Sequence, residues 1–333
     1  MKKLLISIMM MTLIFGIFIA EVDATQKKRP TLVLRYSDIN PPTAPPGKFA
    51  GEFAKLVDQK TNGNMKLEVF YSASLVGYDI EPVQTGVVDF NQLIPSFVAD
   101  LSPKLSVLDA PYIWKDDAHI VKVTNPRSQI MESLNKDLEK HNIRLLIVVP
   151  CGMRHVTSNK PIYKPDDLKG MKIRVVPSPV YMATLEAMGA IPTPMPFPEL
   201  PTALATGVVD GQENPFSIVV PHGLHEIQKY INLTGHLPTN AGIFMNLAIW
   251  KALKKDEQEK LVDAAVEARD ITVRWIQEMN AEWKAKAKAK SKIIGPKEGL
   301  LLDKFTAITR ETVHKKFEEQ WGDLYQKIID MGK

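Results

Sequence analysis

Cysteine is nearly absent from this sequence: Cys151 stands alone among 333 residues. A single thiol excludes an internal disulfide and any zinc cage built on cysteines. Phosphate cradles are missing too, with no GxGxxG after a strand and no P-loop. Neither a GxSxG elbow nor an HExxH pair occurs. Charge of one sign is scarce: 42 Lys and Arg face 38 Asp and Glu, a net +4, so the sequence does not indicate a nucleic-acid partner. Glycine, at 18 residues, is outnumbered by 24 prolines, the reverse of ordinary usage.

What is present is a globular composition, 45% hydrophobic and 24% charged, long enough for two domains with a sizeable core. The chain opens on Lys2 and Lys3, an apolar run over 4–20, and Val22-Asp23-Ala24. A cationic start, an apolar centre and small residues before a cut form a secretory signal over 1–24, predicting cleavage after Ala24 and a periplasmic location. The alternative is an uncleaved anchor, since the run sits near the lower edge of the ~17–25 residues that span a bilayer. No cysteine near the cut means no lipid-modified terminus. No later stretch is apolar enough to span, so no stable membrane insertion is expected after signal cleavage.

The remainder alternates strand and helix patterns. Residues 31–36 read as a strand, followed by a proline-rich loop with Pro41, Pro42, Pro45 and Pro46. Phe49, Phe53, Leu56 and Val57 recur at helical spacing, and Thr61-Asn62-Gly63-Asn64 ends that helix. Strands are predicted at 66–71, 87–94, 145–149, 171–176, near Ile191 and at 243–249, with helices between them and from Trp250 onward. One amphipathic helix is expected over 301–329, with Phe305, Ile308, Val313, Phe317, Trp321, Leu324 and Ile328 as core. The pentapeptide TGVVD occurs twice, at 85–89 and 206–210, each time after a short helix, which argues for two similarly built α/β lobes. Prolines cluster at 41–46, at 177 and 179, and at 192–201, in loops that leave strands; fixed φ angles there would stiffen a binding wall.

Candidate chemistry is sparse. His222, His225 and Glu226, with His236 downstream, allow a metal site; ordinary surface histidines are the alternative. Cys151 has no specific base beside it and reads as a small buried thiol. The alternating Lys284, Lys286, Lys288 and Lys290 read as a solvated helical face, or as a docking patch for an acidic partner. Arg174 lies near the carboxyl end of an apolar strand, where open α/β sheets bind ligands and where a guanidinium can hold a carboxylate with two hydrogen bonds. A surface arginine on an edge strand is the competing reading. Arg154 follows an apparent lobe crossing and either faces a cleft or ties two chains together. Asn214 precedes Pro215 and is either a ligand-orienting amide or a turn residue.

The stretches Asp166-Asp-Leu-Lys-Gly-Met-Lys-Ile-Arg174, Met188-Gly-Ala-Ile-Pro-Thr-Pro-Met195 and Thr206-Gly-Val-Val-Asp-Gly-Gln-Glu-Asn-Pro215 resemble the signature core of DctP-like substrate-binding proteins of TRAP (tripartite ATP-independent periplasmic) transporters. Leu75-Val-Gly77 and Trp321-Gly-Asp-Leu-Tyr325 extend the likeness along the chain. The resemblance implies an α/β, two-lobed periplasmic-binding-protein-like fold with hinge strands and a long helix spanning both lobes. Its lobes would be discontinuous, 25–151 with 240–279 and 152–239 with 280–333. It implies Arg174 as carboxylate clamp, Arg154 as second cationic contact, Asn214 as orienting amide and Phe197 as an aromatic over the ligand. An organic acid anion and the TRAP membrane permease are the implied partners, with no catalytic residues, metal or cofactor. The chain departs from many relatives in the loop after the first strand, which reads Asn40-Pro-Pro-Thr-Ala-Pro-Pro46 in place of a histidine-proline and leaves that lobe's share of selectivity undefined.

Overall fold

A computed structural model describes residues 31–333; the expected signal segment and its cut lie outside them. Within the described residues eleven strands form two sheets: β1 (Leu32–Ser37), β2 (Met65–Phe70), β3 (Phe90–Leu93), β4 (Ile143–Met153), β5 (His155–Ser158), β6 (Lys172–Val175), β7 (Ile191–Pro194), β8 (Gly211–Asn214), β9 (Tyr230–Asn232), β10 (Pro238–Asn246) and β11 (Lys292–Ile294). The first sheet has the order β2-β1-β3-β10-β4 and the second β11-β9-β5-β8-β6-β7. The chain crosses between them three times: once from β10 to β11 through residues 247–291, and twice through very short links, from β4 to β5 at Arg154 and from β9 to β10 over residues 233–237. The two short links are the hinge strands of a two-lobed α/β fold.

Each lobe opens with parallel strands, β1 beside β2 and β3, and β6 beside β7 and β8. The repeated TGVVD explains the likeness. Gly86 and Gly207 take positive φ, 77° and 74°, and turn the chain out of a short helix. Thr85 and Thr206 each donate a hydroxyl to the carbonyl four residues back, at 2.9 and 2.8 Å. Asp89 then accepts from the Arg35 N–H at 2.6 Å, and Asp210 from the Lys172 N–H at 2.8 Å. The pentapeptide thus ends a helix and ties the next strand to its neighbour in both lobes. Valine in both copies, Val87 and Val208, is exposed, and β3 begins only at Phe90, later than the alternation suggests.

The first helix, Pro45–Lys60, begins with two prolines, whose missing N–H groups cost nothing there, and buries Phe49, Phe53, Leu56 and Val57. It packs with the helix Lys255–Lys290, which at 36 residues runs about 54 Å. Leu261, Ala264, Ala265 and Ala268 of that helix join the core of the first sheet, while Ile276, Trp283 and Ala287 pack with Phe216, Leu224 and Ile231 of the second lobe. Burying each large apolar side chain contributes about 1.5–3 kcal/mol, so one helix fastens both lobes.

Two boundaries differ from the sequence pattern. Asn246 ends β10 and accepts from the Ile249 N–H, so the strand stops and a short helix starts where a longer strand was expected. The C-terminal helix breaks at Gly322, φ 52°, into Leu302–Trp321 and Leu324–Met331. Phe305, Val313, Phe317, Trp321, Leu324 and Ile328 are buried as expected, but Ile308 is 47% exposed. Most of these residues share a core with Leu105, Leu134, Leu145 and Val180.

Candidate functional site

Arg174, Arg154, Asn214 and Phe197 are brought together: all four line one cavity of about 230 Å³ between the two sheets. Its other wall comes from the ends of β1 and β3, with Asn40, Gln92 and Ile94, and Thr239, Asn240 and Ala241 of β10 complete it. Pro46, Pro177, Pro196 and Pro198 also line it, one or more from each proline cluster.

Arg174 stands at the end of β6, opposite Thr193 of β7 and Gln212 of β8, in parallel pairing on both sides. Its side chain is 2% exposed. Nε and one terminal nitrogen donate to the Met195 carbonyl at 3.0 and 2.7 Å. Met195 lies between Pro194 and Pro196, so the segment holds its direction and offers a carbonyl with no competing donor beside it. The guanidinium lies 5.6 Å from the Phe197 ring centroid. Three of its five N–H groups remain, and no carboxylate pairs with it among the described residues. Burial lowers its pKa to about 10, against the attraction of Glu213, so it stays cationic at neutral pH.

Arg154 has a partner that the sequence reading did not contain. Its guanidinium donates to both carboxylate oxygens of Glu213, at 2.5 and 2.8 Å, to the Glu213 carbonyl at 2.6 Å and to the Thr239 hydroxyl at 3.0 Å. One N–H is left for the cavity. Glu213 is completely buried; burial alone would raise its pKa, but Arg154 and His236 hold it well below the usual range. His236, itself kept neutral by burial, donates Nε2–H to Glu213 at 3.2 Å and accepts from the Thr234 hydroxyl at 2.8 Å. The pair is therefore a closed ion pair facing the cavity with almost no net charge.

Glycine makes this arrangement possible at two close approaches. A Cβ on Gly211 would lie 2.2 Å from the Thr157 carbonyl, so only glycine lets β8 press against β5 and carry Gln212, Glu213 and Asn214 into place. A Cβ on Gly47 would lie 2.1 Å from the Pro41 carbonyl, so only glycine lets the proline loop fold back on its helix. Asn214, 4% exposed, donates to the Gln212 side chain at 2.6 Å and keeps its carbonyl oxygen and one N–H for other partners.

The histidines do not assemble. Nδ1 of His222 donates to the Ile218 carbonyl at 3.0 Å and its ring meets Phe197 edge-on at 4.9 Å, whereas His225 lies by Ser291 and His236 by Glu213. Among the described residues no group of three or more metal-ligating side chains forms. Burial pushes the Cys151 thiol up, as fits an inert core residue. Glu213, Gln92 and Asn40 were missed in the sequence. The available signal was polarity inside buried strands: Asn91-Gln92 between Phe90 and Leu93, and Gln212-Glu213-Asn214 after a glycine, all buried.

Two α/β lobes on hinge strands, enclosing a buried cation without a counter-ion, define a ligand-binding protein for an anion. The sequence profile of bacterial extracellular solute-binding protein family 7 (DctP) matches residues 36–327, and the chain belongs to that family, the TRAP solute-binding proteins. The 2,3-diketo-L-gulonate-binding periplasmic protein YiaO of Escherichia coli is 30% identical over 286 residues, 85% of this chain and 84% of that protein. A TRAP periplasmic solute-binding protein of Shewanella oneidensis, with bound succinate, superposes with a TM-score of 0.81 at 26% identity, covering 91% of this chain and 100% of the other. One from Roseobacter denitrificans, with bound L-galactonate, gives 0.79 at 26% identity, covering 91% and 99%. Among the described residues no helix is long and apolar enough to cross a membrane.

Proposed function

We propose that this protein captures an organic acid anion in the interlobe cavity with Arg174 as the clamp, and hands it to the membrane permease of a TRAP transporter. The observation that carries this is the Arg174 guanidinium, buried, oriented by Met195 and Phe197, and without a carboxylate partner among the described residues. A carboxylate placed end-on to its remaining N–H groups satisfies both charges where water cannot. Arg154 adds one N–H, Asn214 an amide that fixes orientation, and Phe197 an apolar wall that also holds the clamp.

Closure is a hinge motion about residues 153–155 and 233–239. The anion is desolvated only when the wall carrying Asn40 and Gln92 meets the wall carrying Arg174, so binding and closure are one event. The moving bodies in this reading are the two sheets with their covering helices, and the helix Lys255–Lys290 packs on both. Cleavage after Ala24 and release into the periplasm complete the path to the permease.

A thermal-shift screen of organic acids on the mature protein tests this. A ligand at 100 times its Kd adds about 2.7 kcal/mol of stability. A carboxylate that raises the melting temperature, and that mass spectrometry recovers unchanged, is the expected result. A protein that no organic anion stabilises, or that converts its ligand, contradicts it.

A further inference from the structure

Asp38, at the end of β1, accepts through Oδ1 from both the backbone N–H and the side-chain amide of Asn40, at 2.7 and 2.8 Å. The same Asn40 nitrogen donates to the Gln92 carbonyl oxygen at 2.9 Å. Both amide hydrogens of Asn40 are therefore engaged. What the two side chains have left is the Asn40 Oδ1 acceptor and the Gln92 Nε2 donor, and both residues line the cavity. Gln92 is buried apart from the cavity it lines, so this donor faces the cavity.

The charges of the cavity run the other way from those of a site for two carboxylates. Among the described residues its only charged lining residues are Arg154 and Arg174, and Arg154 is neutralised by Glu213. One net positive charge remains, at Arg174. Across from it the first lobe offers no cation, and the carboxyl group behind Asn40 is Asp38, whose Oδ2 is buried without a partner. A second carboxylate there would meet the Asn40 oxygen and find no counter-charge. A hydroxyl donates once and accepts twice, and so fits an acceptor beside a donor. His222 repeats the theme: with Nδ1–H given to Ile218, its Nε2 is an acceptor in a residue lining the same cavity.

We infer that the ligand is a hydroxylated monocarboxylate, with its carboxylate on Arg174 and a hydroxyl between Asn40 Oδ1 and Gln92 Nε2. This rests on the anion-binding reading above and narrows it. A site built to hydrogen-bond a hydroxyl rejects the analogue that lacks it, by roughly 10⁴-fold in the strongest cases.

Matched sets test it in the mature, unaltered protein by calorimetry: the four-carbon acids erythronate, butanoate and succinate, and the six-carbon acids galactonate, hexanoate and adipate. In at least one set the hydroxylated monocarboxylate is expected to bind at least tenfold more tightly than both companions. Gln92→Leu should reduce that advantage over the unsubstituted acid at least tenfold. A dicarboxylate or an unsubstituted acid that leads in both sets overturns this inference while leaving the organic-anion reading intact. Binding of none of the six overturns the inference for acids of this size, and the wider screen then decides the anion reading separately. If Gln92→Leu does not fold, Asn40→Ala carries the same comparison, and the six-acid ranking needs no variant.

Discussion

Arg154 and Glu213 neutralise one another at the centre of the protein, through two guanidinium–carboxylate hydrogen bonds of 2.5 and 2.8 Å, both side chains buried. Arg174, on β6 beside the strand that carries Glu213, has no such partner among the described residues and leans on the Met195 carbonyl instead. Two arginines of one cavity thus differ: Arg154 is neutralised inside the protein, and Arg174 keeps three N–H groups with no carboxylate among the described residues. Their substitution phenotypes should separate accordingly.

Glu213→Gln leaves the Arg154 guanidinium buried without its counter-ion, and breaking a buried pair from one side costs about 3–5 kcal/mol. Thermal unfolding of the ligand-free variant should show that loss. A variant as stable as the parent would mean that Arg154 is solvated and the pair is not closed.

Gly47→Ala should disturb both stability and binding. The added Cβ would come within 2.1 Å of the Pro41 carbonyl, next to Asn40, and relieving such a clash costs about 1–3 kcal/mol. Gly77→Ala is the control, since a Cβ there meets nothing within 4 Å. Equal melting temperatures and equal affinities for the two variants would contradict the role given to this loop.

Asp109 gives a pH signature away from the cavity. Burial raises its pKa to about 7, opposed by hydrogen bonds from Ser96. A carboxyl raised in the folded state favours the protonated form, so its stabilisation is complete below pH ~4, the unfolded value. It is lost as pH rises toward 7. Asp109→Asn should therefore gain on the parent by up to about 1.4 kcal/mol per pH unit between pH 5 and 7, with the difference level above that. Comparing variant with parent cancels His155, whose pKa is lowered to about 3 and whose slope has the opposite sign. A difference independent of pH would show that Asp109 is ionised throughout.

Much of this was legible in the residues themselves. Helical spacing from Phe49 to Val57 and the Thr61-Asn-Gly turn marked the first helix, and the apolar run 171–176 marked the strand that carries Arg174 to the cavity. The TGVVD repeat reported two lobes because its Thr, Gly and Asp each do one local job that any copy must repeat. Ile308 was not legible as exposed, since the covered face of that helix runs through Phe305, Thr309, Val313, Phe317 and Trp321 and takes in a threonine where an isoleucine stood beside it. The partner of Arg154 was invisible for a different reason. Glu213 is distant in sequence by 59 residues, and only the β5–β8 pairing, which sets His155 opposite Asn214, brings the two together. The amides of Asn40 and Gln92 needed the same kind of knowledge, a hydrogen-bond chain that starts at Asp38.

In the proposed function Arg174 is a buried cation held in readiness for a carboxylate. Calorimetry on Arg174→Ala with the acid that leads the screen tests it most directly, alongside unfolding of the ligand-free variant. The expected result is an affinity loss of about 3–5 kcal/mol, a hundredfold or more, with ligand-free stability unchanged or raised because an uncompensated buried charge is gone. A loss of less than tenfold, or a ligand-free protein destabilised as severely as Glu213→Gln, would contradict it.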